Sequence, residues 1–266
     1  MIPVSRRLLL QLGWLLVLAG QTEAAEDLAP RTWIVEGVTR EALVRIPTAA
    51  RKGGAPIVFV FHGHGGSMKQ AAASMPIHQH WPEAIVVYPQ GLPTPSPLVD
   101  REGRRTGWQG AAGDQGDRDL KFFDAIFGGL KGECHFDERR VYVTGHSNGG
   151  AFTYLLWAQR GEKIAATAPS AAVMGRGFRD LAPKPVLHIG SPQDELVKFS
   201  WQERMIDEVL RLNGCGPRKS TAPGYTTYAS SKGAETATFL HAGGHRYSSA
   251  APELIVKFFQ AHPAGS

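Results

Sequence analysis

Ser147 stands at the centre of Gly145-His146-Ser147-Asn148-Gly149, with a glycine two residues away on either side. That spacing suits a hydroxyl thrust out of a tight turn, because the glycines remove the side chains that would clash there. A serine hydroxyl is a poor nucleophile at its own pKa. It needs a base within hydrogen-bond reach, and the base needs a carboxylate to fix its tautomer. His245 is the candidate base: it follows Gly243-Gly244 late in the chain, and those glycines let its loop pass close to the serine turn. His241 and His262 fall behind it. Asp194, in Gly190-Ser191-Pro192-Gln193-Asp194, is the candidate acid; Glu195 is its rival and Asp180 a third choice. An oxyanion formed at the serine needs backbone N–H donors already aimed at it. One is the amide of Asn148. The other is assigned to His64, in the run His62-Gly63-His64-Gly65-Gly66. The His62-x-His64 spacing also suits half of a metal pair, but no acidic partner follows at matching spacing, so no metal is expected.

These residues need elements to place them. Residues 140–144 are β-branched and aromatic, as a buried strand is, and 150–158 read as a helix, so the serine lies on a strand-turn-helix. Residues 32–35 and 42–46 read as an opening hairpin around Gly37. Residues 56–61, 84–88, 164–168 and 185–189 read as further strands. Residues 225–229 and 236–241 complete the set. Helices are expected over 67–80 with Ser67 as N-cap, 119–130, 199–212 and 252–261. Strands alternating with helices make a mostly parallel sheet covered on both faces, an α/β class. Sites in such sheets gather at the carboxyl ends of strands, which Ser147, Asp194 and His245 all follow. The order serine, acid, histidine is that of the α/β-hydrolase fold.

Residues 1–24 read as an export signal. Arg6-Arg7 precede an apolar stretch over 8–20, too short to span a bilayer, and a small polar stretch follows. Cleavage is placed after Ala24, with Ala25 as the alternative. Residues 5–9 carry a faint twin-arginine pattern, but ordinary export is preferred. Gln21 stands where a lipidated cysteine would be, so no lipid anchor is expected. The remaining residues, 25–266, suit one domain in a secreted or periplasmic protein. The chain's formal charge is +5, spread without a Lys/Arg run, so no nucleic-acid partner is expected. Cys134 and Cys215 leave a disulfide open. The oligomeric state is not legible. Residues 89–116, polar and rich in Pro and Gly, form the expected rim of a substrate pocket, with Leu92, Leu98, Val99 and Trp108 as lining candidates. Trp108 is equally suited to the core. Arg101, Arg104 and Arg105 on the same stretch are read as solvated.

His62-Gly63-His64-Gly65-Gly66-Ser67, Tyr88-Pro89-Gln90-Gly91, Gly107-Trp108, the run from Arg140 to Gly150 and Gly243-Gly244-His245 together resemble a known group. It is the secreted poly(3-hydroxybutyrate) depolymerases and feruloyl/acetylxylan esterases. The resemblance spans roughly residues 32 to 260. It implies a cofactor-free α/β-hydrolase that cleaves carboxylic esters of small molecules, oligoesters or esterified polysaccharide. Departures are visible. Arg246-Tyr247-Ser248 stands where members often carry tryptophan after the histidine, the acid loop is one residue longer, and no polymer-binding module follows. The alternatives are a peptidase on the same fold and a catalytically silent protein that binds polyester or polysaccharide.

Overall fold

The structure, a computed structural model, describes residues 28–175 and 181–265. The expected export signal and Asp180 lie outside the described residues. The strands are β1 (Ala29–Val35), β2 (Val38–Arg45), β3 (Ile57–Phe61), β4 (Ile85–Pro89), β5 (Leu92–Pro93), β6 (Thr106–Gly107), β7 (Val141–His146), β8 (Ala166–Ser170), β9 (Val186–Gly190), β10 (Cys215–Ala222), β11 (Tyr225–Ser230) and β12 (Thr236–Leu240). The helices are α1 (Met68–Ser74), α2 (Ile77–His80), α3 (Arg118–Cys134), α4 (Asn148–Arg160), α5 (Phe199–Asn213) and α6 (Ala251–Ala261). Ten strands form one sheet in the order β1-β2-β4-β3-β7-β8-β9-β12-β11-β10. The inner ladders from β4 to β12 are parallel, and antiparallel pairs close both edges. This is the α/β-hydrolase fold.

A strand buried on both faces reads as a continuous apolar run, because neither face meets water. In β3, Ile57, Phe59 and Phe61 enter one core with α3 and α4, whereas Val58 and Val60 enter a second core with Trp81, Tyr142 and α6. The two layers of helix therefore clamp the sheet that carries the site. The opening hairpin turns at Glu36-Gly37, both with positive φ (49° and 82°), as a tight two-residue turn between twisted strands requires.

One expectation is corrected. The single helix over 67–80 is two. Ser67 does cap α1, its Oγ accepting from the Gln70 amide at 3.2 Å, but the helix stops at Met75-Pro76, because Pro76 has no N–H to continue it. An unexpected strand, β10, covers 215–222 and is almost wholly exposed. No disulfide joins the two cysteines; the Cys215 thiol donates to Thr236 Oγ1 at 3.3 Å. Among the described residues no helix is long and apolar enough to cross a membrane.

One interior polar residue makes stability depend on acid. His188 of β9 is 1% exposed, and burial pushes its imidazole down to about 4. In the unfolded chain a histidine titrates near 6.5. Above that pH both states are neutral and His188 contributes nothing. Below it the unfolded chain takes up a proton that the folded chain refuses, so stability falls as pH drops from about 6.5 to 4, by up to about 3 kcal/mol. A His188→Gln variant is expected to lose less Tm than the parent between pH 7 and pH 4.5. Parallel melting curves of the two proteins would contradict this.

Candidate active site

Ser147 lies between β7 and α4 with φ 56° and ψ −118°, a left-handed conformation that a non-glycine residue holds only when its surroundings impose it. The surroundings do so. A Cβ on Gly145 would stand 2.6 Å from the Gly149 carbonyl carbon, and one on Gly149 would stand 2.5 Å from the His62 carbonyl oxygen. Strand, turn and helix are therefore pressed together at less than side-chain distance. The Ser147 amide donates to the Ser170 carbonyl at 2.8 Å, and its own carbonyl accepts from Ala151, the first turn of α4.

The serine hydroxyl donates to His245 Nε2 at 2.8 Å, and His245 Nδ1 donates to Asp194 Oδ2 at 2.9 Å. Three residues from the ends of β7, β9 and β12 thus meet in one line. The Asp194 carboxylate is 3% exposed and accepts four bonds. Oδ1 takes the amides of Leu196 and Val197, both at 3.0 Å, while Oδ2 takes His245 and the Gln202 amide nitrogen at 2.9 Å. Glu195 is exposed. The loops that carry Asp194 and His245 are tied directly, since the Gly244 amide donates to Ser191 Oγ at 3.0 Å.

The turn after β3 passes against the nucleophile: a Cβ on Gly63 would lie 3.7 Å from Ser147 Cβ. The backbone amides of His64 and Asn148 donate to no acceptor among the described residues, and each belongs to a segment packed at the serine. The His64 side chain is held from outside. Its Nε2 donates to Asp100 Oδ2 at 3.1 Å. Asp100 also accepts the Arg105 amide at 2.8 Å, and these bonds, the Arg105 amide first, draw its carboxyl down to about 2. The rim segment 97–105 is thereby pinned to the turn that offers the amide. His62 has both ring nitrogens committed to backbone groups, Nδ1 to the Gly63 carbonyl and Nε2 to the Gly91 amide.

A cavity of about 600 Å³ opens at Ser147 and His245, walled mainly by Pro97, Leu98, Val99, Ala172, Val173 and Trp201. Leu98, Val99 and Leu196 are 54%, 39% and 40% exposed, and all three border this cavity, so its mouth is an apolar ring with contributions from both sides. Two expected lining residues are elsewhere. Trp108 is 1% exposed. Its indole N–H donates to the His62 carbonyl at 2.9 Å, and its backbone N–H and C=O hold the Asn148 amide side chain at 2.7 and 3.0 Å. It packs beneath the site instead of facing substrate. Leu92 pairs with Gly107 in the small β5-β6 sheet and does not border the cavity. Sequence reasoning missed Trp201 and Val173, which lie on segments with no motif. It also left His146 without a role. That imidazole lies 5.1 Å from the His245 ring, tilted 44° to it, bonds Ser170 Oγ through Nδ1, and is pushed down to about 4 by burial, so it is neutral beside His245.

No family model matches the chain. Among curated proteins it is 28% identical over 178 residues to a bifunctional acetylxylan esterase/xylanase of Neocallimastix patriciarum, covering 64% of this chain but 24% of that one. It is 26% identical over 237 residues to a protein of Aspergillus clavatus named "Probable feruloyl esterase C", covering 84% of each. The chain thus spans about a quarter of the first relative's length and most of the second's. Among solved structures, an acetyl xylan esterase from Aspergillus awamori superposes with a TM-score of 0.65 at 13% identity, over 87% of this chain and 99% of that one. A ferulic acid esterase superposes with a TM-score of 0.63 at 13% identity, over 88% and 98%. At such identities the structural likeness establishes the fold. The sequence relatives are named as esterases, and the serine, histidine and aspartate assembled here are the groups that nucleophilic ester cleavage uses.

Proposed function

We propose that this chain is an exported carboxylic-ester hydrolase that works through an acyl-enzyme on esters with compact apolar acyl groups, from acetyl to hydroxycinnamoyl, carried by plant polysaccharide or its oligomers. The observation that carries this reading is His245 bridging Ser147 and Asp194 at hydrogen-bond distance beside an apolar cavity. Ser147 Oγ attacks the ester carbonyl while His245 Nε2 takes its proton. Asp194 holds the ring in the tautomer whose Nε2 is bare and stabilises the imidazolium that forms. The amides of His64 and Asn148 bind the oxyanion. His245 then protonates the departing alcohol and, in the second half, activates water against the acyl-enzyme. No step calls for a cofactor. A peptidase on the same fold would use the same triad, but the named relatives support ester substrates.

The exposed apolar ring of Leu98, Val99 and Leu196 favours a second reading, in which the acyl chain is a segment of polyester such as poly(3-hydroxybutyrate). A panel separates the two. At equal enzyme, turnover of methyl ferulate, acetylated xylo-oligomers and short 4-nitrophenyl esters is compared with monomer release from hydroxybutyrate oligomers and from crystalline polymer, with a peptide anilide alongside. Soluble aromatic and acetyl esters are expected to be cleaved fastest. Preferential clearing of the solid polymer would overturn the first reading in favour of the second, and cleavage of the anilide alone would overturn both. For export, the N-terminus of protein recovered from the medium or periplasm is expected at Ala25; an intact Met1 in that fraction would contradict a cleaved signal.

A further inference from the structure

Behind Asp194 lies a line of buried polar side chains that the mechanism above does not use. Tyr154 is 0% exposed, His188 1%, Gln202 0% and Asp194 3%. Buried polar groups in an otherwise apolar interior are costly unless each is bonded. Here each is bonded to the next. Tyr154 on α4 meets His188 Nδ1 at 2.9 Å. His188 Nε2 on β9 meets Gln202 Oε1 at 3.3 Å. Gln202 Nε2 on α5 donates to Asp194 Oδ2 at 2.9 Å and to the Val197 carbonyl at 2.7 Å.

The direction of every bond follows from the acceptors at one end. A carboxylate and a carbonyl can only accept. The Gln202 atom facing both must therefore be its nitrogen, and its oxygen must face His188. His188 must then carry its proton on Nε2, which leaves Nδ1 to accept from the Tyr154 hydroxyl. Neutral imidazole is what burial enforces here, so one tautomer serves the whole line. Space has been cleared for it as well. A Cβ on Gly190 would stand 2.6 Å from Gln202 Oε1, so the glycine that opens the acid loop also admits the glutamine.

We infer that Gln202, oriented by His188 and Tyr154, is the positioning residue that holds the Asp194 carboxylate in line with His245. The inference rests on the triad assignment above. Without Gln202, Oδ2 would keep only His245, and Oδ1 would keep the two loop amides. The carboxyl group could then turn about its Cβ–Cγ bond, and the tautomer control on His245 would weaken. Because Tyr154 stands on the helix that begins at the nucleophile, the line also fixes the acid loop against that helix. The base, held between serine and aspartate, takes its position from both ends.

The test is a double-mutant cycle on the full chain with 4-nitrophenyl acetate. Gln202→Met keeps the volume and removes both the donor and the acceptor. It is expected to lower kcat about 10- to 100-fold, the scale of losses when a group orienting a catalytic ligand is removed, with KM changed less than about 2-fold. In an Asp194→Asn background the same change is expected to alter kcat less than about 2-fold, since the carboxylate that fixes the His245 tautomer is already gone. An undiminished kcat in folded Gln202→Met overturns the inference. So does an equal fold-loss in both backgrounds, which would mark a general packing defect. Should Gln202→Met fail to fold, His188→Leu against His188→Gln carries the same question. The leucine cuts the line and is expected to lower kcat about 10-fold, whereas the glutamine keeps a donor to Gln202 Oε1 and restores most of it. Equal activity of the two variants overturns the inference. Full activity in Asp194→Asn itself would instead defeat the triad assignment, and is read separately.

Discussion

Ser147→Ala is expected to lower ester turnover by on the order of 10⁶, to the background of the assay, since loss of the nucleophile alone removes about as much as loss of the whole triad in serine hydrolases. The remaining amides of His64 and Asn148 could still polarise a bound carbonyl, but no oxygen would stand 2.8 Å from His245 Nε2 to attack it. The fold should survive. Alanine meets the same left-handed backbone that serine already tolerates at φ 56°, and the packing of Gly145 and Gly149 is untouched. The substitution leaves His245 Nε2 without its serine donor, a loss on the order of 1 kcal/mol. Turnover of 4-nitrophenyl acetate and the Tm, measured on one preparation, check the claim. Substantial activity in a folded Ser147→Ala protein would remove the nucleophile assignment.

Asp194→Asn is expected to lower kcat by about 10⁴, because an amide lets the imidazole present the wrong tautomer to the serine. Here the substitution should also reduce stability. The carboxylate accepts four donors, two on each oxygen, and an amide must set its own N–H₂ against one of those pairs. The expected loss is roughly 1–3 kcal/mol, the scale for buried groups left without partners. Glu195→Gln, at an exposed neighbour, should leave both kcat and Tm within error. The reverse outcome, with Glu195→Gln damaged and Asp194→Asn active, would move the acid by one residue.

Elements whose residues are uniform along their length were legible. Ile57–Phe61 and Ile85–Pro89 are buried at every position, and each reads as an interior strand with no knowledge of its neighbours. The grouping of Ser147, Asp194 and His245 was legible for a related reason: glycines mark backbone that must come close, and Gly145, Gly149, Gly190 and Gly244 all sit at such points. What was not legible depends on where a segment turns. Trp108 lies in a polar stretch, and only the fold shows that its ring goes down among Phe61 and Phe152 while its backbone grips Asn148. Residues 215–222 mix Arg, Lys, Ser and Gly without alternation, because β10 is an outer edge whose faces both meet solvent. The break at Pro76 is written in the sequence, since a proline lacks the N–H that a continuing helix needs. Gln202 sits in a helix of high polarity, and nothing in its neighbours marks it as the residue facing inward to the acid.

Ser147, Asp194 and His245 come from the ends of strands separated by whole crossovers. His245 meets a partner 98 residues away on one side and 51 on the other. Parallel pairing of β12 with β9 must be complete before the base can reach either, and closing such distant contacts is the slow part of assembly. Enzymatic activity is therefore a reporter of the last stage of folding. During refolding, helical signal should recover first and hydrolysis last.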